Sequence, residues 1–141
     1  MAGWGTGSFE NEDAQTWLGQ LKSLGLEDLK QILVHAADQS DYLEAPDASI
    51  VIAAAEVMAA MKGAPNEKLP REIADWTSQT KAISSPDLNE LAIRAVEKVR
   101  RNSELKDLWL EAEGLNEWTA GLQNLKERLS IRSLSDWRLP P

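Results

Sequence analysis

The chain has 141 residues, 43% of them apolar, and a formal charge of −8 at neutral pH. That length suits a single domain with its own core. With no cysteine there can be no disulfide, thiolate metal site or cysteine nucleophile, and the net acidity argues against nucleic acid, whose phosphates need clustered Lys and Arg.

Residues 2–9, Ala-Gly-Trp-Gly-Thr-Gly-Ser-Phe, alternate glycines with larger side chains. Glycine permits close backbone approach, so the stretch reads as an extended strap (residues 1–10) pinned by Trp4 and Phe9. The glycine spacing fits neither a dinucleotide fingerprint nor a phosphate loop, and no Gly-x-Ser-x-Gly elbow is present. Asn11 then suits a helix cap, with Glu12 and Asp13 in the first turn, where acids oppose the helix dipole. Ala14, Trp17, Leu18 and Leu21 share one face of this helix, and Leu24-Gly25 ends it. A second helix aligns Leu26, Leu29, Ile32, Leu33 and Ala36. The only histidine, His35, sits near its end. It reads as a surface residue, because no companion ligand or nucleophile is evident.

Residues 38–47 form an acidic loop in which Asp38, Asp41, Glu44 and Asp47 recur every third position. Oxygen ligands of this kind suit a hard cation. The loop lacks the spacing and central glycine of a calcium loop, and it reads as a solvated turn with Asp47 capping the next helix.

That next helix, residues 47–62, is the centre of the expected fold. Between Ala48 and Met61 only Ser49 and Glu56 are polar. Alanine and methionine favour helix, and a helix apolar all round must be buried all round. It falls short of the ~20 apolar residues that cross a bilayer. Glu56 interrupts it. At helical spacing it neighbours Ile52, Ala53, Ala59 and Ala60, and a carboxylate there is costly to bury without partners.

Pro70 opens a short helix through Thr80, with Ile73, Trp76 and Thr77 inward. Ser85-Pro86 opens another, whose stripe is Leu88, Leu91, Ala92, Ala95, Val96 and Val99. Its terminal Lys98, Arg100 and Arg101 suit a helix C-terminus without any ligand. From Ser103 a further helical pattern runs through Leu105, Leu108, Trp109, Ala112, Leu115, Trp118, Leu122, Leu125 and Leu129, with Gly114 as a possible break into two helices. Residues 131–141, including Trp137, lack periodicity and read as an irregular tail. The expectation is therefore an all-α fold: one domain over residues 1–130, a compact bundle of about six helices around the central one.

The opening Gly3-Trp4-Gly5-Thr6-Gly7-Ser8-Phe9-Glu10-Asn11-Glu12-Asp13-Ala14, followed by Trp17-Leu18, resembles a family of small bacterial proteins known only as a domain of unknown function (DUF4259-like). That family typically opens Met-Gly-x-Trp-Gly-x-Gly-x-Phe-Glu-Asn-Asp-x-Ala-x-Asp-Trp. Tyr42-Leu43-Glu44, Ala53 to Val57, Leu69-Pro70 through Trp76, and Ser103-Glu104-Leu105 with Leu108-Trp109 are similar to family landmarks in the same order, so the resemblance covers nearly the whole chain. This chain departs at Ala2-Gly3, Glu12 and Thr16. The resemblance implies a soluble bacterial protein. It carries over no activity and no catalytic residue.

No residue pattern specifies a reaction. One histidine and no cysteine are too few for a zinc site, and no serine sits in an activating context. Carboxylate chemistry survives as an alternative: Glu56 with Glu10, Glu12 or Asp13 would form a paired-acid, divalent-metal or small-molecule site if the strap folds over the central helix. The plainer reading is that Glu56 accepts hydrogen bonds from strap N–H groups or a tryptophan N–H and anchors the strap. Trp4, Phe9, Trp17 and Glu56 are then structural anchors.

Charge distribution supplies the functional expectation. Residues 1–60 contain ten acidic side chains and two basic ones, and residues 61–141 contain thirteen of each. A small acidic protein without a catalytic set fits binding to a basic protein partner, for example as an immunity-type inhibitor, and complementary charge would speed capture. Glu10, Glu12, Asp13, Asp38, Asp41 and Glu44 are the candidate contact residues. Neither cofactor nor metal is expected, and no membrane span. With no export signal pattern in the sequence, the cytoplasm is the expected compartment. Self-association through one of the six tryptophans ranks third.

Overall fold

A computed structural model describes residues 6–38, 41–79 and 86–130. Seven helices are found among them: α1 (Glu12–Leu24), α2 (Leu26–Asp38), α3 (Ala45–Met61), α4 (Arg71–Gln79), α5 (Pro86–Arg101), α6 (Glu104–Glu111) and α7 (Leu115–Ser130). No strand is formed among the described residues. A single parallel bridge joins Leu43 to Ser103. No helix among them is long and apolar enough to cross a membrane.

α3 touches all six other helices. From Ala48 to Ala59 every residue except Ile50 is buried. A helix that is apolar on every face is buried on every face, and its alanines at 53–55, 59 and 60 let neighbouring helices approach closely. The surrounding helices supply the bulk through single stripes. Trp17, Leu18 and Leu21 come from α1, Leu29 and Leu33 from α2, Leu91, Val96 and Val99 from α5, and Trp118, Leu122, Leu125 and Leu129 from α7.

The helix ends follow local chemistry, with two departures from expectation. Asn11 Oδ1 accepts from Ala14 N at 2.8 Å, as a cap should. Gly25 at φ +86° carries the turn into α2. α3, however, begins two residues earlier than expected, so Asp47 lies in its first turn instead of capping it. Glu44 occupies the cap position without a side-chain cap bond. Glu104 serves from outside, its Oε1 accepting from Ala45 N at 2.8 Å. The second departure is in the strap. Its described part, residues 6–10, is not extended but forms a turn in which Glu10 N donates to Gly7 O at 3.1 Å. Phe9 is buried as expected. Trp4, with residues 1–5, and Trp137, with residues 131–141, lie outside the described residues.

The break at Gly114 is real. α6 ends in a turn with Glu113 at φ +61°, and Gly114 N donates to Trp109 O at 2.9 Å. Ala112 is consequently exposed at the end of α6 and leaves the buried stripe. Ser103 links α5 to α6: its hydroxyl donates to Val99 O at 2.6 Å and accepts from Lys106 N at 3.1 Å.

Candidate functional site

Glu56 is wholly buried in the middle of α3. Oε1 accepts from Arg128 Nη1 at 2.9 Å. Oε2 accepts from Ser8 Oγ at 2.6 Å, Asn66 Nδ2 at 3.1 Å and Arg128 Nη2 at 3.1 Å. The two-pronged contact matches the planar fork of a guanidinium to a carboxylate. Arg128 is engaged further, donating through Nε to Asn124 Oδ1 at 2.8 Å and through Nη1 to Ala64 O at 3.1 Å. Taking both charges from water costs several kcal/mol per ion, and only such close multiple bonding offsets it. The cluster joins the N-terminal turn, the α3–α4 linker and α7 to the central helix.

Among the described residues the donors to Glu56 are a hydroxyl, an amide and a guanidinium, whereas the sequence suggested strap N–H groups or an indole, of which Trp4 and residues 1–5 lie outside the described residues. Among the described residues its four hydrogen-bond contacts come from Ser8, Asn66 and Arg128, and none of these is an acid. Glu10 turns instead to its own segment, its Oε1 accepting from Gly7 N at 3.0 Å. Glu12 and Asp13 are exposed on the first turn of α1. Among the described residues no group of three or more metal-ligating side chains is placed to hold an ion. His35 is exposed on α2.

Ser8 and Asn66 also line a cavity of about 170 Å³ beside this cluster, together with Trp109, Trp118, Asn11 and Asn124. Two indoles and several carboxamides make its described lining polar and aromatic.

The remaining candidate contact residues gather at the junction of α2 and α3. Asp38 ends α2, Asp41 and Glu44 lie in the connection, and all three are exposed, as is Asp47 in the next turn. Asp38 stands 3.9 Å from Arg94 of α5, both side chains more than half exposed. A contact so solvated contributes little. Leu43 holds the connection in place: its N donates to Asn102 O at 3.3 Å, and its O accepts from Glu104 N at 2.7 Å. Glu12 and Asp13 sit on a different element, and Glu10 is half-buried in the turn.

Two polar arrangements were missed in the sequence. Tyr42 Oη donates to Asp107 Oδ2 at 2.5 Å, and this hydrogen bond to a carboxylate, with burial and the charges of Asp107, Glu104 and Glu111 adding to it, pushes the phenol up to about 12. Glu97 takes a guanidinium contact from Arg100 and accepts from Lys126 Nζ at 2.6 Å. Arg100 foremost, with Lys126, holds its carboxyl down at about 2 against the opposing effect of burial. The Arg100–Glu97 spacing of three residues was a usable signal; the others cross between elements.

The architecture defines an all-helical protein whose central helix carries one buried carboxylate neutralised from the last described helix. The chain belongs to the family described as a domain of unknown function (DUF4259), whose model matches residues 3–121. Comparison with curated proteins and with solved structures gave no match.

Proposed function

We propose that this is a bacterial, cytoplasmic binding protein that acts without catalysis, covering a basic surface of a partner protein in the manner of an immunity-type inhibitor. The observation carrying this is the α2–α3 junction, where Asp38, Asp41, Glu44 and Asp47 are all exposed and the contact of Asp38 with Arg94 is long and solvated. Exposed acids grouped on a backbone held by Leu43 present a fixed field to a basic surface, which raises association rates and selects against acidic partners. Support also comes from Glu56, the one fully buried carboxylate among the described residues, because its oxygens are taken by Arg128, Ser8 and Asn66.

The test is affinity capture from the native host at low and moderate salt, with wild type beside a variant carrying Asp38→Lys, Asp41→Lys and Glu44→Lys. One stoichiometric basic partner, released by salt and lost in the variant, is expected. Capture that ignores both salt and charge reversal refutes the acidic junction as the contact face.

A second reading is favoured by the cavity of Trp109, Trp118, Asn11, Asn66 and Asn124: binding of a small neutral molecule that stacks on indole and hydrogen-bonds to carboxamides. A thermal-shift panel of neutral metabolites, repeated on Trp118→Leu, separates it from the first.

A further inference from the structure

Beside the acidic junction, α1, α2 and α3 leave a groove of about 370 Å³. Its apolar wall is Trp17 from α1, Ile32 and Ala36 from α2, Leu43 from the connection, and Ile50 and Val51 from α3. Well-packed interiors rarely leave voids larger than a water molecule. A space of this size falls at the small end of the roughly 300–1,000 Å³ typical of ligand pockets. The other lining residues, Gln31, His35 and Asp47, are exposed and so form its rim. Neither lysine nor arginine lines it among the described side chains.

Taking the α2–α3 junction as a partner-binding face, we infer that this groove seats one leucine- or phenylalanine-sized side chain from a Lys/Arg-rich segment of the partner. Two observations converge. The lining runs from residue 17 to residue 51, within the first sixty residues, where ten acids stand against two bases. Asp47 is part of the rim, and Leu43 in the wall lies between Asp41 and Glu44, so a chain whose apolar side chain enters the groove passes its flanking cations over these carboxylates. An apolar anchor buried in a pocket is where binding energy concentrates at protein interfaces.

The test uses the full chain and three synthetic peptides, acetyl-Lys-Lys-Leu-Lys-Lys-amide, its Leu→Ser counterpart and a Glu-flanked Leu peptide, titrated at low salt and followed by two-dimensional NMR. The Leu peptide is expected to bind about tenfold or more tighter than the Ser peptide, the free-energy difference of one buried leucine. It is also expected to shift the Trp17 indole N–H and the Ile50 and Val51 methyls. The Glu-flanked peptide is expected not to bind. Ile50→Lys, with its helical circular dichroism retained, is expected to erase the Leu preference. Equal binding of the Leu and Ser peptides without a shift at Trp17 overturns the groove and leaves the acidic face standing. Absence of binding by both basic peptides overturns the two together. Groove shifts that grow with protein concentration alone, with a doubled mass in light scattering, overturn the inference in favour of a second copy of this chain.

Discussion

Arg128 of α7 reaches both oxygens of Glu56 on α3, at 2.9 and 3.1 Å, across 72 residues of sequence. The carboxylate is fully buried and the arginine side chain 15% exposed. Each charge is tolerable only because of the other, so removing one partner is costlier than removing both. Glu56→Ala and Arg128→Ala are each expected to lower the unfolding free energy by about 3–5 kcal/mol. The paired Glu56→Ala, Arg128→Ala replacement is expected to cost less than the sum of the two single changes, a coupling that urea denaturation of wild type, the two single variants and the double variant measures directly. Glu56→Gln should keep the fold while loosening the N-terminal turn. Unchanged stability of Glu56→Ala, together with unchanged protease resistance over residues 1–10, would remove the anchoring role.

Gly114 carries its own steric test. A Cβ added there would stand 2.6 Å from Cε3 of Trp109, closer than real contacts allow, and the indole is buried. Gly114→Ala is expected to destabilise by about 1–3 kcal/mol, the usual cost of overpacking, and to alter the near-ultraviolet circular dichroism of the tryptophans. The neighbouring Glu113 has φ +61°, a conformation that penalises any side chain. Glu113→Gly should leave stability unchanged or raise it by up to about 1 kcal/mol. The opposite ranking of these two variants would contradict the described turn between α6 and α7.

Tyr42 is the only tyrosine, so its ionisation can be followed by ultraviolet absorbance without interference from a second phenol. Its hydrogen bond to Asp107 favours the neutral phenol and raises its titration to about 12. In Asp107→Asn the midpoint should fall back toward the ordinary value of 10.0. Because the folded value lies above the unfolded one, this contact stabilises fully below pH 10 and loses its effect as pH rises toward 12. A wild-type midpoint at the ordinary value would show that the contact is not kept in solution.

Glu97 has the opposite sign. Arg100 and Lys126 lower its carboxyl from 4.5 to about 2. The stabilisation is therefore present above pH 4.5 and is lost as the medium is acidified from 4.5 toward 2. In Glu97→Gln the drop of stability across that acid window should be smaller than in wild type. Identical acid profiles for the two proteins would mean that Glu97 does not contribute there.

Much of the architecture was legible because it is local. The cap at Asn11 and the stripes of α1, α2, α5 and α7 rest on residues within a few positions of one another, which the 3.6-residue period arranges without help from the rest of the chain. α3 was legible for a different reason: a run with no polar face has nowhere to go but inside. The start of α3 was misplaced because its first free amide is met by Glu104, 59 residues away, instead of by a local side chain. Asp47, a good cap by type, was left in the first turn.

The candidate sites divide along the same line. Composition alone placed the surplus of acids in the first sixty residues and marked Glu56 as the buried charge that must find partners. Which partners it finds depended on how distant elements dock. Ser8, Asn66 and Arg128 lie 48, 10 and 72 positions from Glu56. None carries a local signature, since a serine, an asparagine in a linker and an arginine beside a leucine stripe are each ordinary surface residues by type. The groove beside the acidic junction is likewise a product of three helices meeting around small Ala36, a shape that belongs to no single segment. The sequence by itself determined the helices, their buried faces and the sign of the surface charge, because these follow from neighbours along the chain; the ion pair, the turn over it and the groove were decided only in the tertiary structure, where side chains far apart in sequence meet.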